Sequence, residues 1–171
     1  MACNLTAGWT IDCKDSQGGI VKIFIANGPV DAFTETAGVL SSVSVSGSPL
    51  DPTDFFTFEV PKQTSSLTET VNASTENGTV FYQQDLVLVF NKMEAAKRNQ
   101  ILLMAQNEKM FVVALDGNGK YWSVGLERGA SLTAGSLTSG TAYGDRNGGE
   151  LTLTGLEPKP MFEVSSAIVE A

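Results

Sequence analysis

The sequence predicts a mainly β fold, a β-sandwich or barrel of antiparallel strands with one flanking α-helix. Turn signals rich in Gly, Asn and Asp separate seven or eight β-branched and aromatic runs along the chain. One stretch, 92–106, is instead rich in helix-forming residues. The 171 residues, of which 42% are hydrophobic and 18% charged, favour one globular domain spanning 1–171.

The first sixty residues predict an N-terminal arm followed by three strands. Residues 1–19 precede the first strand signal and form that arm. Ile20–Ile25 is β-branched and follows a Gly-Gly turn signal. Val43–Ser46 alternates apolar with polar side chains, and Phe56–Val60 repeats this alternation, so its two phenylalanines are expected to face inward.

The middle of the chain predicts a polar excursion and then the strongest strand. Segment 61–79 is rich in Ser and Thr and carries the turn signal Asn77-Gly78, which predicts an exposed loop or a hairpin. Val80–Phe90 follows, and its last five residues are apolar on both faces. Such a strand is covered on both sides, at the centre of a sandwich or beneath a helix.

The helix at 92–106 is expected to begin directly after this strand. Asn91 can cap it, and Glu94 at the third helical position can reach back to the cap amide. The first half of the helix is polar, whereas Ile101–Ala105 is apolar. We therefore expect its C-terminal turns to pack inside.

The last third predicts further hairpins and a tail. Met110–Leu115 is apolar on both faces, and Lys120–Leu126 returns beside it after Asp116-Gly-Asn-Gly119, whose residues tolerate the positive φ of primed turns. A further alternating strand follows a second glycine-rich turn. Pro158 and Pro160 keep 156–171 out of a sheet centre, which predicts an edge strand or a C-terminal arm.

The composition excludes several classes of function. The net charge is −8, and nucleic-acid phosphates are held by Lys and Arg, so such an acidic chain is a poor candidate for binding them. The absence of histidine excludes Ser–His and Cys–His catalysis and HExxH zinc sites. Asp85, Glu94, Asp116 and Asp145 are scattered among turn and cap signals instead of converging as a catalytic pair. We predict no catalytic, cofactor-binding or metal-binding residue and no enzyme.

Two cysteines and two acidic turns are the remaining candidates for binding a metal ion. No apolar run approaches the ~20 residues of a membrane span, and no secretory signal is visible, so free thiols in a reducing cytoplasm are expected. A disulfide or a joint metal site of Cys3 and Cys13 stays open. The turns Asp116–Gly119 and Asp145–Glu150 offer oxygen ligands for calcium, but neither matches an EF-hand loop, and turn chemistry accounts for both.

The pattern favours an interaction protein. Long strands, the 61–79 excursion and the terminal arms present edges that pair with neighbouring chains. Head-to-tail contacts between copies close into rings or continue as filaments. A second class of function is a carbohydrate- or ligand-binding sandwich using Tyr121, Trp122 and the glycine-rich loops. These two residues and Trp9 could stack on bases or sugars, although large aromatic residues more often anchor a core or an interface. An enzyme ranks third.

Several segments, distributed over most of the chain, carry a shared set of turn and strand patterns: 13–19, 68–70, 77–79, 92–106, 116–119, 139–145, 149–155 and 157–160. Together they resemble bacteriophage major tail proteins, the subunits of tail tubes. The opening of the chain, 13–19, resembles small structural proteins of phages of Bacteroidetes-type hosts.

The resemblance implies a tail-tube-like β-sandwich whose copies form a hexameric ring, with rings stacked into a tube that conducts DNA. Identical subunits and other virion proteins would be the partners, first in the host cytoplasm and then in the virion, and DNA would pass without specific binding. Segment 61–79 would contact the next ring, and the arms 1–19 and 156–171 would bridge subunits. A head–tail connector or a capsid decoration protein is the alternative use of the fold.

Overall fold

A computed structural model describes residues 3–170 and confirms the mainly β fold with a flanking helix. Twelve strands replace the expected seven or eight, and a 3₁₀ turn at Pro52–Asp54 and two α-helices complete the described chain. The strands are β1 (Ile20–Asn27), β2 (Val30–Thr36), β3 (Val39–Val45), β4 (Ser48–Pro49), β5 (Phe56–Glu59), β6 (Ser66–Ser74), β7 (Thr79–Asn91), β8 (Met110–Asp116), β9 (Tyr121–Val124), β10 (Ala130–Thr138), β11 (Gly148–Glu157) and β12 (Glu163–Val164), and the helices are α1 (Ala95–Gln106) and α2 (Ser166–Val169).

The strands follow one hydrogen-bonded path in the order β2-β3-β12-β9-β8-β10-β11-β7-β6. Off this path, β1 pairs with β8 and β5, and β4 pairs with β3. The ladders are antiparallel except that of β12 with β3. β8 and β10 share only the pair Met110–Ala130. Beyond this pair, β10, β11, β7 and β6 form a second layer. Leu86 and Leu151 of this layer share an apolar core with buried residues of β1 and β8.

Residues 23–26 of β1 and 110–114 of β8 are buried on both faces of these strands, which separate two apolar cores. On β1, Ile23 and Ile25 belong to the core shared with the second layer, whereas Phe24 and Ala26 belong to a core closed by β3, β12 and α2. Residues 110–114 of β8 are all buried. This double burial is the physical reason for the continuous apolar run there. The double coverage expected for 86–90 of β7 is found in part: Leu86, Leu88 and Val89 are buried, whereas Val87 and Phe90 are half-buried.

Helix α1 begins at Ala95, three residues later than predicted, and Asn91 does not cap it. Lys92 has a φ of +65°, and the N–H groups of Lys92 and Met93 donate to Asn147 instead of continuing a helix. Glu94 pairs with Lys92 at 2.7 Å and does not reach back to the Asn91 amide. A tertiary contact therefore overrides the local capping pattern.

The expected burial of the C-terminal half of α1 is wrong in part. Met104 is buried and Ile101 half-buried, but Leu102 and Leu103 are exposed. Four successive side chains on a helix point in four directions about 100° apart, so one sheet can cover only some of them.

The terminal segments differ from each other. Residues 3–19 are exposed and contain no strand or helix, and the Gln17 N–H donates to Asn118 Oδ1 at 2.7 Å. Both alternatives for the tail, an edge strand and a C-terminal arm, are wrong for 163–170, because β12 lies between β9 and β3 and Val164, Ile168 and Val169 are buried. The two prolines keep only the stretch before β12 out of the sheet. Residues 1, 2 and 171 of the expected arms lie outside the described residues.

Segment 61–79 takes the hairpin form of its two predicted alternatives. β6 pairs with β7 along its full length, from Ser66–Val87 to Ser74–Thr79. β11 pairs with β7 only as far as the pair Glu157–Tyr82, so the end of the hairpin extends beyond its neighbour. The other side of β6 has no partner strand in the described chain.

Candidate interaction surfaces

The four carboxylates considered for catalysis do not come together. Asp85 accepts from Thr154 Oγ1 at 2.7 Å, and Asp145 accepts from two backbone N–H groups that lower its pKa. Burial opposes ionisation of Asp116, but bonds from its own hairpin and from Trp122 leave its pKa lowered. Glu94 pairs with Lys92. Each acid thus organises a turn or a strand.

The described residues contain no group of three or more His, Cys, Asp or Glu side chains able to hold a metal ion. Cys3 and Cys13 are exposed free thiols. Between residues 3 and 170, none of the helices has the length and apolar character to cross a membrane.

Glu157 is a buried carboxylate with a structural role. It is 3% exposed and accepts the N–H groups of Glu127 and Arg128 at 3.0 and 2.9 Å, which orders the connection from β9 to β10. Burial raises the pKa of Glu157, because a charged carboxylate loses hydration there, and the two N–H donors offset only part of this effect.

The three aromatic side chains of the ligand-binding alternative do not form a platform. Tyr121 is buried in the second core and donates to Glu170 Oε2 at 2.7 Å, and its burial raises its pKa to about 12. Trp122 is half-buried and donates to Asp116 Oδ2 at 3.1 Å. Trp9 lies in the N-terminal segment, 97% exposed.

The solvent face of the second layer is free of cations and mainly polar, although Phe81 and Leu156 are also exposed on it. Its four strands, β6, β7, β10 and β11, contain no Lys or Arg. Hydroxyl and carboxylate groups connect across this face, from Thr133 to Thr154 at 2.8 Å and from Thr154 to Asp85 at 2.7 Å. Arg146, in the turn before β11, lies 3.9 Å from Glu150 at the margin of this face.

The inner face of the β6–β7 hairpin continues past the body as an apolar surface. Register places Val71 and Tyr82, and then Ala73 and Val80, on the face that carries buried Leu86 nearer the body. Val71 and Val80 are 59% and 53% exposed. We call these four side chains the hairpin surface. Their composition is that of a core, but no other part of the described chain covers them.

An apolar groove surrounds helix α1, which we call the α1 groove. Three adjoining cavities of about 290, 540 and 380 Å³ follow the helix from Met93 to Asn107. Phe56 and Phe58 of edge strand β5 line this groove. As predicted, both face the core side, where they lie opposite Ile25 and Ile23 of β1. Phe56 nevertheless stays exposed, because β5 has no strand on its outer side. Large exposed apolar residues at the groove are Phe56, Met93, Leu103 and Leu137.

The sequence carried a further signal that composition alone does not reveal. From residue 3 to residue 13, every odd position is apolar or Cys and every even position is polar or Gly. This alternation is typical of a half-buried strand. Yet Leu5, Trp9 and Ile11 are almost fully exposed, and the segment pairs with no strand of the described chain.

The molecule therefore offers unpaired edges and uncovered apolar surface, and no convergent polar site among the described residues. Comparisons of the chain with protein-family models, curated proteins and solved structures find no match.

Proposed function

We propose that this protein is a structural virion protein that self-assembles into rings stacked as a phage tail tube. Copies of the chain are its main partners. DNA passes through the assembly without specific binding.

The observation that supports this proposal most strongly is the cation-free face of the second layer. A conduit for DNA has to avoid holding the phosphate backbone, and strands without Lys or Arg release no counterions on contact with it. Acids such as Asp85 and Glu150 on this face add repulsion. We assign this face to the lumen.

The hairpin surface supports contact between rings. A monomer gains nothing from exposing Val71 and Val80 at the end of a projecting hairpin, and exposed apolar surface of this kind marks an interaction site. The outer edge of β6 adds the backbone donors and acceptors of alternate residues along a nine-residue strand, which a neighbouring strand could pair with.

The test is the assembly state of the purified full chain. Negative-stain microscopy over a range of protein concentrations is expected to show rings with a central opening and stacks of rings at high concentration. Sedimentation velocity gives the fraction assembled. A chain that remains monomeric at every concentration contradicts the proposal. Rings that form but never stack would favour the connector or decoration role.

A further inference from the structure

We propose that the N-terminal segment of one copy docks as an extended strand in the α1 groove of the next copy. This inference rests on the proposed self-assembly and names the contact that links the copies. The donor side chains are Leu5, Ala7, Trp9 and Ile11.

The donor segment has the pattern of a strand and lacks the sheet that such a pattern requires. Alternating side chains place its apolar residues on one side and Asn4, Thr6, Thr10 and Asp12 on the other. The described chain leaves Trp9 97% exposed and Ile11 fully exposed. One side of this strand therefore fits an apolar surface, and the other fits water.

The acceptor has matching chemistry and length. Residues 5–11 in extended form span about 20 Å, and α1 with its twelve residues is about 18 Å long. The central cavity, about 540 Å³ and lined by Phe58, Phe90 and Ile101, has room for an indole side chain, and a smaller cavity lies on either side of it along the helix. Three cavities in a row therefore offer room for the three large side chains of the strand, Leu5, Trp9 and Ile11.

Donor and acceptor lie at opposite ends of the fold. Ser16 and Gln17 bond to Asn118 at the β8–β9 turn, whereas α1 meets Asn27 at the other end of β1. Ile20 pairs with Asp116 and Asn27 with Met110, which fixes these two ends. A contact that joins one end of a copy to the opposite end of the next is heterologous, and such contacts generate rings or filaments.

The first experiment removes one side chain from each partner and keeps a matched control for each. Trp9→Ser and Leu103→Asp are expected to raise the protein concentration at half-assembly by tenfold or more. Tyr143→Ser and Leu156→Asp change equally exposed residues outside the groove and should assemble like the wild type. Leu103 is 58% exposed, so its substitution leaves folding intact.

The second experiment identifies which copies are joined. In a Cys3→Ser/Cys13→Ser background, Ala7→Cys, on the groove-facing side of the strand, is combined with Gln100→Cys in the groove, and the protein is oxidised at assembly concentration. Bridges between copies give a covalent ladder in non-reducing gels, which supports the proposal. A bridge within one copy, or no bridge, overturns it.

The two proposals fail differently. If the wild type forms rings and Trp9→Ser and Leu103→Asp assemble as well as it does, the arm contact is wrong and self-assembly stands. If the wild type stays monomeric, self-assembly itself is wrong.

Discussion

At the scale of single residues, the buried carboxylate Glu157 links folding to pH. Burial raises its pKa, so the folded chain holds this proton more tightly than the unfolded chain does. Its contribution to stability is therefore present below the ordinary pKa of glutamate and is lost as the pH rises through the raised value. We expect the wild type to lose stability relative to Glu157→Gln over this range.

Urea unfolding of both proteins across a pH series measures this difference. Glu150→Gln, an exposed change on the same strand, is the control and should follow the wild type at every pH. A wild-type-to-Glu157→Gln difference that does not change with pH would refute the raised pKa.

At two glycines four residues apart, substitution by alanine is expected to have different effects on stability. A Cβ at Gly148 would meet the carbonyl oxygen of Phe90 and lie 2.8 Å from Asn91 Cα, whereas a Cβ at Gly144 meets nothing within 4 Å. Gly148→Ala should cost about 2–3 kcal/mol because backbone has to shift, and Gly144→Ala should be close to neutral. Thermal unfolding compares them, and equal melting temperatures would contradict the close approach of β11 to β7.

At the scale of elements, the sequence predicts the turns, strands and helix that are determined by residues close together in the chain. The Asp116–Gly119 turn, the doubly covered strands and the presence of the helix all follow from turn residues and apolar runs. The start of α1 does not, because Asn147, more than fifty residues away, binds the backbone at Lys92 and Met93. Nor does the insertion of β12, since two-residue strands carry no periodic pattern.

The sequence predicts that interaction surfaces exist, but it does not predict which residues form them. Segment 61–79 is visibly polar in sequence, but the apolar side of the hairpin appears only when the register pairs Val71 with Tyr82 and Ala73 with Val80. The α1 groove depends on which helix residues the sheet leaves uncovered, which is a tertiary property.

The hairpin predicts a change that affects assembly alone. Val80→Ser removes an apolar side chain that is 53% exposed, so the free energy of unfolding of the monomer should change by less than about 0.5 kcal/mol, while ring stacking weakens. Val21→Ser, at a comparably exposed site on β1, is the control. Sedimentation velocity and urea unfolding separate the two effects; stacks of normal length in Val80→Ser would exclude the hairpin surface from the contact.

At the scale of the whole molecule, the assignment of the lumen can be tested by charge. Thr68→Lys, Gln83→Lys and Thr152→Lys together place three cations on the solvent face of the second layer. Tubes of this variant assembled with duplex DNA should retain it and protect it from nuclease, with retention falling steeply as salt is raised. Wild-type tubes should retain none.

The control carries the same three charges on the β2–β3 hairpin, as Thr34→Lys, Thr36→Lys and Ser41→Lys. Cations on the outside of a tube hold DNA where nuclease reaches it. If the second-layer variant leaves its DNA as digestible as the control does, the cation-free face does not line the lumen.

The position of β1 and β8 between two cores links the unfolding of one core to the unfolding of the other. Loss of β1 and β8 would disrupt both cores at once, because both cores are built on these two strands. Backbone amides of Phe24 and Val113 should then exchange with deuterium only through complete opening of the chain. If copies of the chain assemble as proposed, the subunits that join an assembly should therefore have both cores folded.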